Sequence, residues 1–209
     1  DAQACGEICY QAFEIISAQH SFSSDFPDVE AACDFMLQLL ARPDIYSVVA
    51  EVGGQVVGSN FLCSEKRVAG IGPLSVSPSI QNATVGRHLM LAVINRAGQQ
   101  KFASVRLVQA AYNNCSLALY TKLGLDVREP LVSMQGQALG LKLPGYPVRL
   151  ATVDDLADCN LLCQQIHGFD RADELSQAIE RGTATVVEQD NVITGYATSI
   201  GFFGHAVGE

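Results

Sequence analysis

The chain has 209 residues, a formal net charge of -9 and 48% hydrophobic residues. Its length allows one or two domains whose cores can form without disulfides or metals. The negative charge repels a polyphosphate backbone, so the composition disfavours nucleic acid as a partner. No stretch reaches the roughly 18 uninterrupted apolar residues of a membrane span. We therefore expect no membrane partner, and the start of the sequence predicts no secretory leader.

Seven cysteines are spread along the chain, an odd number that disfavours a secreted disulfide framework. Reduced thiols and a cytoplasmic protein are expected instead. Cys5 and Cys9 are four residues apart, as are Cys159 and Cys163, so each pair lies on one face of a predicted helix. A zinc site requires two further ligands that no nearby pair supplies, so we predict core packing and no metal.

The two cysteine pairs belong to two similar parts of the sequence. Asp1–Phe13 aligns with Asp155–His167, and Val48–Gly58 aligns with Thr185–Gly195. The alignment matches Asp1 with Asp155, Glu51 with Glu188, Val56 with Ile193 and Gly58 with Gly195.

This similarity predicts a duplicated unit. Residues 1–135 would form the first and nearly complete copy, residues 136–146 a linker rich in Gly and Pro, and residues 147–209 a partial second copy. The first copy would lack its first strand or receive it from elsewhere. Chance similarity between short amphipathic helices is the alternative explanation.

Hydrophobic periodicity predicts the elements of the first copy. Gly53-Gly54 is typical of the tight turn of a hairpin, and Gly124 of a residue that follows a helix. The predicted helices cover about 2–18, 28–42, 85–99 and 113–124, and the predicted strands cover 46–52, 55–63, 69–77 and 104–109, with a last pair at Val127 and Leu131–Met134. This order predicts an α+β fold with a mixed, mostly antiparallel central sheet flanked by helices.

The junction between the strand at 69–77 and the next helix has features of a binding site. Pro73 withholds a ladder donor and so marks a bulge or an edge, after which the backbone of Leu74 to Val76 could pair with a ligand. The loop from Gln81 leads to a helix N-terminus, whose free N–H groups attract anions. Gly86 allows close approach to the backbone, and Arg87 adds positive charge. Coenzyme A, an extended amide chain joined to a pyrophosphate, has a matching shape; an ordinary strand–loop–helix turn is the alternative.

Two motifs in this region resemble signatures of the GNAT family of N-acetyltransferases. The run Gln81-Asn82-Ala83-Thr84-Val85-Gly86 is similar to the phosphate-binding motif Gln/Arg-x-x-Gly-x-Gly/Ala, with Thr84 where the first glycine is usual. The run from Asn113 to Leu125 is similar to Asn-x-x-Ala-x-x-x-Tyr-x-x-x-Gly-Phe, with Ser116 in place of Ala and Leu125 in place of Phe. The resemblance covers about 1–135 and weakens over 147–209, which lacks both motifs.

The resemblance implies acetyl-CoA as co-substrate and a role for each matching residue. Asn113 would steady the pantetheine arm, with Ser116 beside it, and Tyr120 would protonate the departing thiolate. A phenol is protonated at neutral pH and can donate; a purely packing role for Tyr120 is the alternative. The pantetheine would pair with the backbone of Leu74, Ser75 and Val76, and the pyrophosphate would bind amides of Gln81, Asn82, Ala83, Thr84, Val85, Gly86 and Arg87.

The acceptor side is less defined by the sequence. Because the strand at 69–77 contains no acid, we expect direct attack by the amine, with its proton lost through water. Glu51 and Glu65 are interpreted as solvated charges. Asn60 and Tyr112 are the candidates for substrate contact, and the four histidines, His20, His88, His167 and His205, are interpreted as non-catalytic.

These observations favour an acetyl-CoA-dependent transferase that acetylates a primary amine of a small molecule or a peptide. A non-catalytic sensor of acyl-CoA is the first alternative, because Thr84 replaces a motif glycine and no acid lies on the strand. A structural or dimerisation module with a decayed site is the second. Homo-oligomerisation is compatible with all three hypotheses.

Overall fold

The structure is a computed structural model that describes residues 1–64, 68–81, 83–132, 136–137, 140–199 and 204–209. The described residues form two compact units. Unit 1 comprises residues 1–64 and 68–127, and unit 2 comprises the described residues of 128–209. Within these ranges, every helix is too short or too polar to cross a membrane.

The described part of unit 1 contains four helices around a five-stranded sheet. The strands run in the order β1-β2-β3-β5, and β4 pairs separately with β2. All pairs are antiparallel except the parallel pair of β3 and β5. The helices are α1 (Ala2–Gln19), α2 (Val29–Ala41), α3 (Val85–Gln99) and α4 (Asn114–Lys122), and the strands are β1 (Ile45–Val52), β2 (Gln55–Ser64), β3 (Val68–Ile71), β4 (Ser75–Val76) and β5 (Ser104–Arg106). The predicted α+β class is confirmed.

Local sequence signals fix several of these boundaries. Asp28 begins α2 by accepting a hydrogen bond from the Ala31 N–H at 2.8 Å, as an N-cap does. Gly53 and Gly54 both adopt positive φ, 61° and 77°, which the tight turn between β1 and β2 requires. Both features agree with the predicted elements.

Two hydrophobic clusters flank the sheet of unit 1. The cluster beside α1 and α2 contains both cysteines of the first pair, which confirms that they pack in the core. Its buried members are Cys5, Cys9, Met36, Leu39, Ile45 and Phe61. The second cluster lies beside α3, and its buried members are Leu62, Ala69, Ile71, Met90, Val93 and Ala97.

Three strand predictions need correction. The strand predicted at 69–77 is divided into β3 and β4, because the segment around Pro73 leaves the ladder. The strand predicted at 104–109 ends at Arg106. The final strand pair is wrong over its described residues: Val127, Leu131 and Val132 belong to no strand and are 76%, 68% and 81% exposed. Pro130 interrupts this segment and cannot donate to a ladder. Ser133 and Met134 lie outside the described residues.

Unit 2 packs two helices against one antiparallel sheet with the strand order β6-β7-β8-β9. Its elements are β6 (Val148–Leu150), α5 (Leu156–His167), α6 (Ala172–Glu180), β7 (Thr185–Gln189), β8 (Val192–Ala197) and β9 (Ala206–Gly208). Cys159 and Cys163 are fully buried in its core, as predicted. The described residues of the predicted linker at 136–146 form no helix or strand.

Candidate active site

The sheet of unit 1 opens where β3 ends. Gly70 pairs with Arg106 at the last step of the parallel ladder between β3 and β5. Beyond this point β4 pairs only with β2, through Ser59 and Gly58. Within the described residues, the other edge of β4 therefore has no strand beside it, and a cleft begins between β4 and the segment after β5.

Hydrogen-bond alternation determines which backbone groups of β4 face this cleft. The Ser77 N–H donates to the Val57 carbonyl at 2.8 Å, so the next bonded pair along the ladder is Ser75 with Ser59. Val76, between these pairs, directs its N–H and carbonyl away from β2. The side-chain amide of Gln81 donates to the Val76 carbonyl at 3.4 Å. The backbone groups of Val76 thus face the cleft, and their contact with a ligand stays a prediction.

The backbone of Ser75 faces β2 and not the cleft, so its predicted backbone contact with a ligand is wrong. Its backbone is used by β2, and the residue is only 2% exposed. Its Oγ lies 3.2 Å from Oγ of Ser59. Leu74 lies between β3 and β4 and packs against the cluster beside α3, so its contact with a ligand stays a prediction.

The N-terminus of α3 supplies unpaired N–H groups. Thr84, the residue before the helix, has φ of 66° in the left-handed region and makes no side-chain cap. The first-turn amides of Val85, Gly86 and Arg87 therefore lack the acceptor that a capping side chain would supply, and they lie at the positive end of the helix dipole. The Ala83 N–H already donates to the Ile80 carbonyl at 3.3 Å. Asn82 lies outside the described residues.

Gly86 connects this helix end with the cleft. A Cβ built on Gly86 would lie 3.7 Å from Cγ2 of Val76 on β4 and 3.6 Å from Cδ2 of Leu119 on α4. These are ordinary contact distances, so the fold itself tolerates a methyl group here. Gly86 therefore lies where β4, α3 and α4 approach one another, next to the unpaired N–H groups of the helix.

Asn113 has a structural role at the start of α4. Its Oδ1 accepts from the Ser116 N–H at 3.1 Å and so caps the helix. The Gln109 side-chain amide donates to the Asn113 carbonyl at 3.3 Å. The side-chain NH₂ of Asn113 is the group left to contact a ligand.

Tyr120 lies one turn after Ser116, half-buried against the cluster beside α3. Burial raises the pKa of the phenol, and a side-chain hydrogen bond with Ser116 partly opposes this rise. The phenol of Tyr120 is therefore protonated at neutral pH.

The two predicted substrate contacts differ in the structure. Asn60 is fully buried, donates to the Leu89 carbonyl at 3.4 Å and accepts from the Phe61 N–H at 2.9 Å. Its predicted substrate contact is wrong, because its side chain is enclosed and bonded within the core.

Tyr112 is half-buried, and its ring stacks on those of His20 and Phe22 with centroid separations of 5.0 and 4.5 Å. Its hydroxyl lies 3.2 Å from Oγ of Ser17. This stack is not evident in the sequence, because 90 residues separate Phe22 from Tyr112 and an aromatic residue in a loop carries no spacing signal.

Unit 2 contains a polar cluster that the sequence also does not reveal. His205, which the sequence indicates to be non-catalytic, has two polar partners in the structure: its Nδ1 lies 2.8 Å from Oε1 of Glu174 and its Nε2 lies 2.9 Å from the hydroxyl of Tyr196. Arg171 also pairs with Glu174. Tyr196 is 4% exposed, and burial raises the pKa of its phenol. The cluster joins α6, β8 and the residue before β9, which are distant in sequence.

Comparison with known proteins identifies relatives of unit 1. The model of the acetyltransferase (GNAT) family matches residues 10–125. An IAA acetyltransferase from Azospirillum brasilense is 30% identical over 96 residues, which are 45% of this chain and 63% of the relative. The match therefore spans less than two thirds of that relative's length.

Solved structures share the fold at low sequence identity. The aminoglycoside N-acetyltransferase AAC(6')-Iy, solved with a bisubstrate analogue and with CoA, has a TM-score of 0.51; at 16% identity the match covers 66% of this chain and 92% of that one. A point mutant of the BH1408 protein from Bacillus halodurans has a TM-score of 0.55 at 12% identity, covering 64% of this chain and 92% of that one.

Proposed function

Because this chain belongs to the GNAT acetyltransferase family, whose enzymes use acetyl-CoA, we propose that unit 1 binds acetyl-CoA and transfers its acetyl group to a primary amine. The observation that carries this proposal is the opening of the sheet between β4 and β5 beside the N-terminus of α3. Anion-binding amides and a free strand edge meet at this opening, as a pyrophosphate joined to an extended amide chain requires.

The coenzyme would be held mainly by backbone groups. The N–H and carbonyl of Val76 point away from β2, as they would toward a further paired strand, so they would bond the amides of the pantetheine arm. The first-turn amides of α3 would bind the pyrophosphate, assisted by the charge of Arg87. Both contacts use backbone groups, which a side-chain substitution does not remove. Coenzyme affinity should therefore be most sensitive to substitution at Gly86, where a new side chain would lie beside the proposed phosphate site.

Tyr120 would act as the general acid. When bound, acetyl-CoA supplies an acetyl group activated as a thioester. As the amine nitrogen bonds to the acetyl carbon and the carbon–sulfur bond breaks, the phenol of Tyr120 would give its proton to the departing sulfur. The strand segments β3 and β4 carry no acid, so the proton of the amine would leave through water. The larger contribution to rate would then come from holding both reactants together.

The acceptor amine would approach from the side of Tyr112. This residue directly precedes Asn113 and α4, and its stack with His20 and Phe22 leaves Phe22 59% exposed. An aromatic surface of this kind attracts both apolar groups and protonated amines. The acceptor class proposed is therefore an amine with an apolar body.

A non-catalytic acyl-CoA sensor is the second candidate, and the conformation of Thr84 favours it. A β-branched residue in the left-handed region is strained by roughly 1–2 kcal/mol, at the position where the family motif usually has glycine. This departure from the motif, together with the absence of an acid from β3 and β4, is compatible with a domain that binds acyl-CoA without catalysing transfer.

Two assays on the purified protein distinguish these functions. Calorimetric titration with acetyl-CoA reports binding, and thiol release with a panel of alkyl and arylalkyl amines reports transfer. The transferase predicts both signals. Binding without amine-dependent thiol release would support the sensor. The absence of both signals would overturn both functions and favour a structural module.

A further inference from the structure

A contact between α1 and the segment after β5 borders the proposed cleft on one face of the sheet. α1 packs against β2 and β4 on the face opposite α3. The hydroxyl of Tyr112, in the segment after β5, lies 3.2 Å from Oγ of Ser17 in the last turn of α1, and Ser17 is 1% exposed. Because β4 and the segment after β5 form the two sides of the cleft, this contact lies where the acceptor amine is proposed to approach.

The turn that follows α1 carries two rings to Tyr112. The N–H groups of His20 and Phe22 both donate to the Ser17 carbonyl, at 3.1 and 2.9 Å. Ser21, between the two, has a positive φ of 59° that turns the chain at the end of the helix. The rings of His20 and Phe22 both stack on Tyr112. His20 is therefore held in position by contacts that the sequence does not reveal, although its side chain is exposed.

Two contacts fix the orientation of the His20 ring and the position of its proton. Nδ1 lies 2.9 Å from the Ile16 carbonyl oxygen, and the ring stacks on Tyr112 with an interplanar angle of 23°. A carbonyl oxygen only accepts hydrogen bonds, so Nδ1 carries the proton of the neutral ring and Nε2 has the lone pair. Within the residues that the structure describes, Nε2 has no hydrogen-bond partner. The basic nitrogen of this exposed ring is thus available to accept a proton.

The end of α1 favours the charge that uptake of a proton creates. The last carbonyl groups of a helix lie at the negative end of its dipole, where a cation is stabilised. The bond from Nδ1 to the Ile16 carbonyl also becomes stronger when its donor is charged. The titratable group that faces the ring is Tyr112, whose hydroxyl lies at Ser17, and Asp25 belongs to the same loop. Over the described part of the chain, His20 makes no ion pair.

His88, the other histidine of unit 1, has different surroundings. Its Nδ1 also lies near a backbone carbonyl, that of Thr84 at 3.0 Å, but at the N-terminus of α3. The helix dipole disfavours an added positive charge at that end. β3 and β4 carry no carboxylate that could act instead. His20 is therefore the histidine of unit 1 whose surroundings suit a base.

We propose that His20 accepts, through water, the proton that the acceptor amine loses before it attacks acetyl-CoA. This inference rests on the proposed transferase function. An ammonium group bound beside Tyr112 gives one proton through water to Nε2 of His20, which becomes an imidazolium, and the amine nitrogen keeps a free electron pair. That pair forms the bond to the acetyl carbon as the carbon–sulfur bond breaks and Tyr120 protonates the sulfur. A second nitrogen proton then passes through water to the Tyr120 oxygen, and the imidazolium releases its proton to solvent.

The test compares two acceptor amines in the parent protein and in His20→Gln, which lacks the basic nitrogen. An alkylamine is charged at neutral pH and needs a base, whereas a fluorinated alkylamine of low basicity is already uncharged. With the alkylamine, His20→Gln should lower kcat/KM about a hundred-fold, a usual effect of a general base. With the fluorinated amine, the variant should stay within about two-fold of the parent, well short of that effect. Acetyl-CoA affinity in calorimetry should be unchanged, since the substitution removes no proposed coenzyme contact.

The pH profile with the alkylamine identifies the base. In the parent, kcat/KM should rise from about pH 5 to about pH 8, the range in which imidazole groups lose their proton, and should then level off. In His20→Gln it should continue to rise at higher pH, because only the uncharged fraction of the amine then reacts. His167→Gln is the matched control, because His167 also ends a helix and contacts an aromatic ring, but in unit 2. It should follow the parent profile.

The outcomes separate this inference from the proposed function. Equal profiles for the parent and His20→Gln, or an equal loss of rate with both amines, would overturn the inference while the transferase function stands. A loss caused by Asp25→Asn and not by His20→Gln would also overturn it, since Asp25 would then be the base. No transfer by the parent with either amine would overturn the proposed function and this inference together.

Discussion

Thr84 and His88 are joined by two contacts at the first turn of α3. The Thr84 carbonyl oxygen lies 3.1 Å from the backbone nitrogen of His88 and 3.0 Å from its ring Nδ1. Together these contacts fix the peptide plane after Thr84, a residue with φ of 66°. The turn that would bind the pyrophosphate is therefore ordered before any ligand arrives, although its residue type is unfavourable for the conformation.

Thr84→Gly should relieve this strain. The left-handed conformation costs roughly 1–2 kcal/mol in a non-glycine residue, and the greater freedom of glycine in the unfolded chain offsets part of the gain. We expect a net increase in unfolding free energy of about 0.5–1 kcal/mol. We also expect tighter binding of acetyl-CoA, because loss of the threonine side chain lets the pyrophosphate approach the backbone of the turn more closely.

Lys101→Gly is the matched control for that variant. Lys101 also has a positive φ, 60°, but follows the far end of α3. It should gain similar stability in urea denaturation without any change in coenzyme affinity. Equal coenzyme affinities for Thr84→Gly and the parent would show that the turn does not contact the coenzyme.

Gly86→Ala should separate stability from binding. A methyl group at Gly86 makes only ordinary contacts with Val76 and Leu119, and alanine favours helix over glycine by up to about 1 kcal/mol. The variant should therefore be at least as stable as the parent while binding acetyl-CoA more weakly, because the methyl group occupies ligand space.

Gly98→Ala provides the comparison on the same helix. A Cβ at Gly98 meets nothing within 4 Å, and the position lies about 18 Å along the axis from Gly86. It should be stabilised to a similar extent with unchanged affinity in calorimetry. If both alanine variants bind acetyl-CoA equally well, Gly86 has no special place in the site.

Tyr120→Phe keeps the packing of the ring and removes its proton. General acid assistance is worth about a hundred-fold in rate or more, or roughly 3 kcal/mol in the barrier. The turnover number should fall by about that factor while acetyl-CoA affinity is retained. Tyr146→Phe, at an exposed position in unit 2, is the control. A turnover number within two- to three-fold of the parent, well short of that estimate, would leave Tyr120 a packing residue.

The proposed role of Tyr120 predicts how the transfer rate changes with pH. Burial raises the pKa of its phenol above the usual 10, and the acid form is the active one. Tyr120 should therefore cause no loss of rate between pH 7 and 10, and the rate should decline only above that range. Steady-state rates of the parent and of Tyr120→Phe across pH 7–11 check this; an alkaline decline present in the parent alone supports the assignment.

Asp155→Asn should destabilise unit 2 in a pH-dependent manner. Arg149 and Thr152 lower the pKa of Asp155, so the ionised carboxylate stabilises the fold above the unfolded pKa near 3.9. This stabilisation is lost as the pH falls below that value and through the lowered pKa. The difference between parent and variant in urea denaturation should be large at pH 7 and should shrink toward pH 2.

Asp154→Asn is the control, because Asp154 is exposed at the neighbouring position. It should be nearly neutral at both pH values. A constant difference between the parent and Asp155→Asn from pH 7 to pH 2 would mean that shape, and not charge, explains the role of Asp155.

Local signals in the sequence predicted much of unit 1. The spacing of Cys5 and Cys9, the cap at Asp28 and the glycine pair at Gly53-Gly54 are each set by neighbouring residues, and the structure agrees with all three. Thr84 was identified from its place in a motif, and the structure adds the positive φ that explains why glycine is usual there.

The remaining features depend on contacts between distant residues. Whether Ser75 or Val76 faces the cleft depends on the register of β4 against β2, and a one-residue change would exchange their roles. Asn60 is a candidate for substrate contact in the sequence, yet two contacts within the core satisfy its side chain. His205 and Glu174, 31 residues apart, meet only after β9 pairs with β8.

The most direct measurement is calorimetric titration of acetyl-CoA into the parent protein and into Gly86→Asp. An aspartate at Gly86 places a side chain and a negative charge where the pyrophosphate is proposed to bind, so affinity should fall by at least a hundred-fold, or roughly 3 kcal/mol. A matched Gly98→Asp variant should bind as the parent does. Saturable binding in the parent that Gly86→Asp abolishes is the result expected; equal affinity in a correctly folded Gly86→Asp protein would contradict the proposed site.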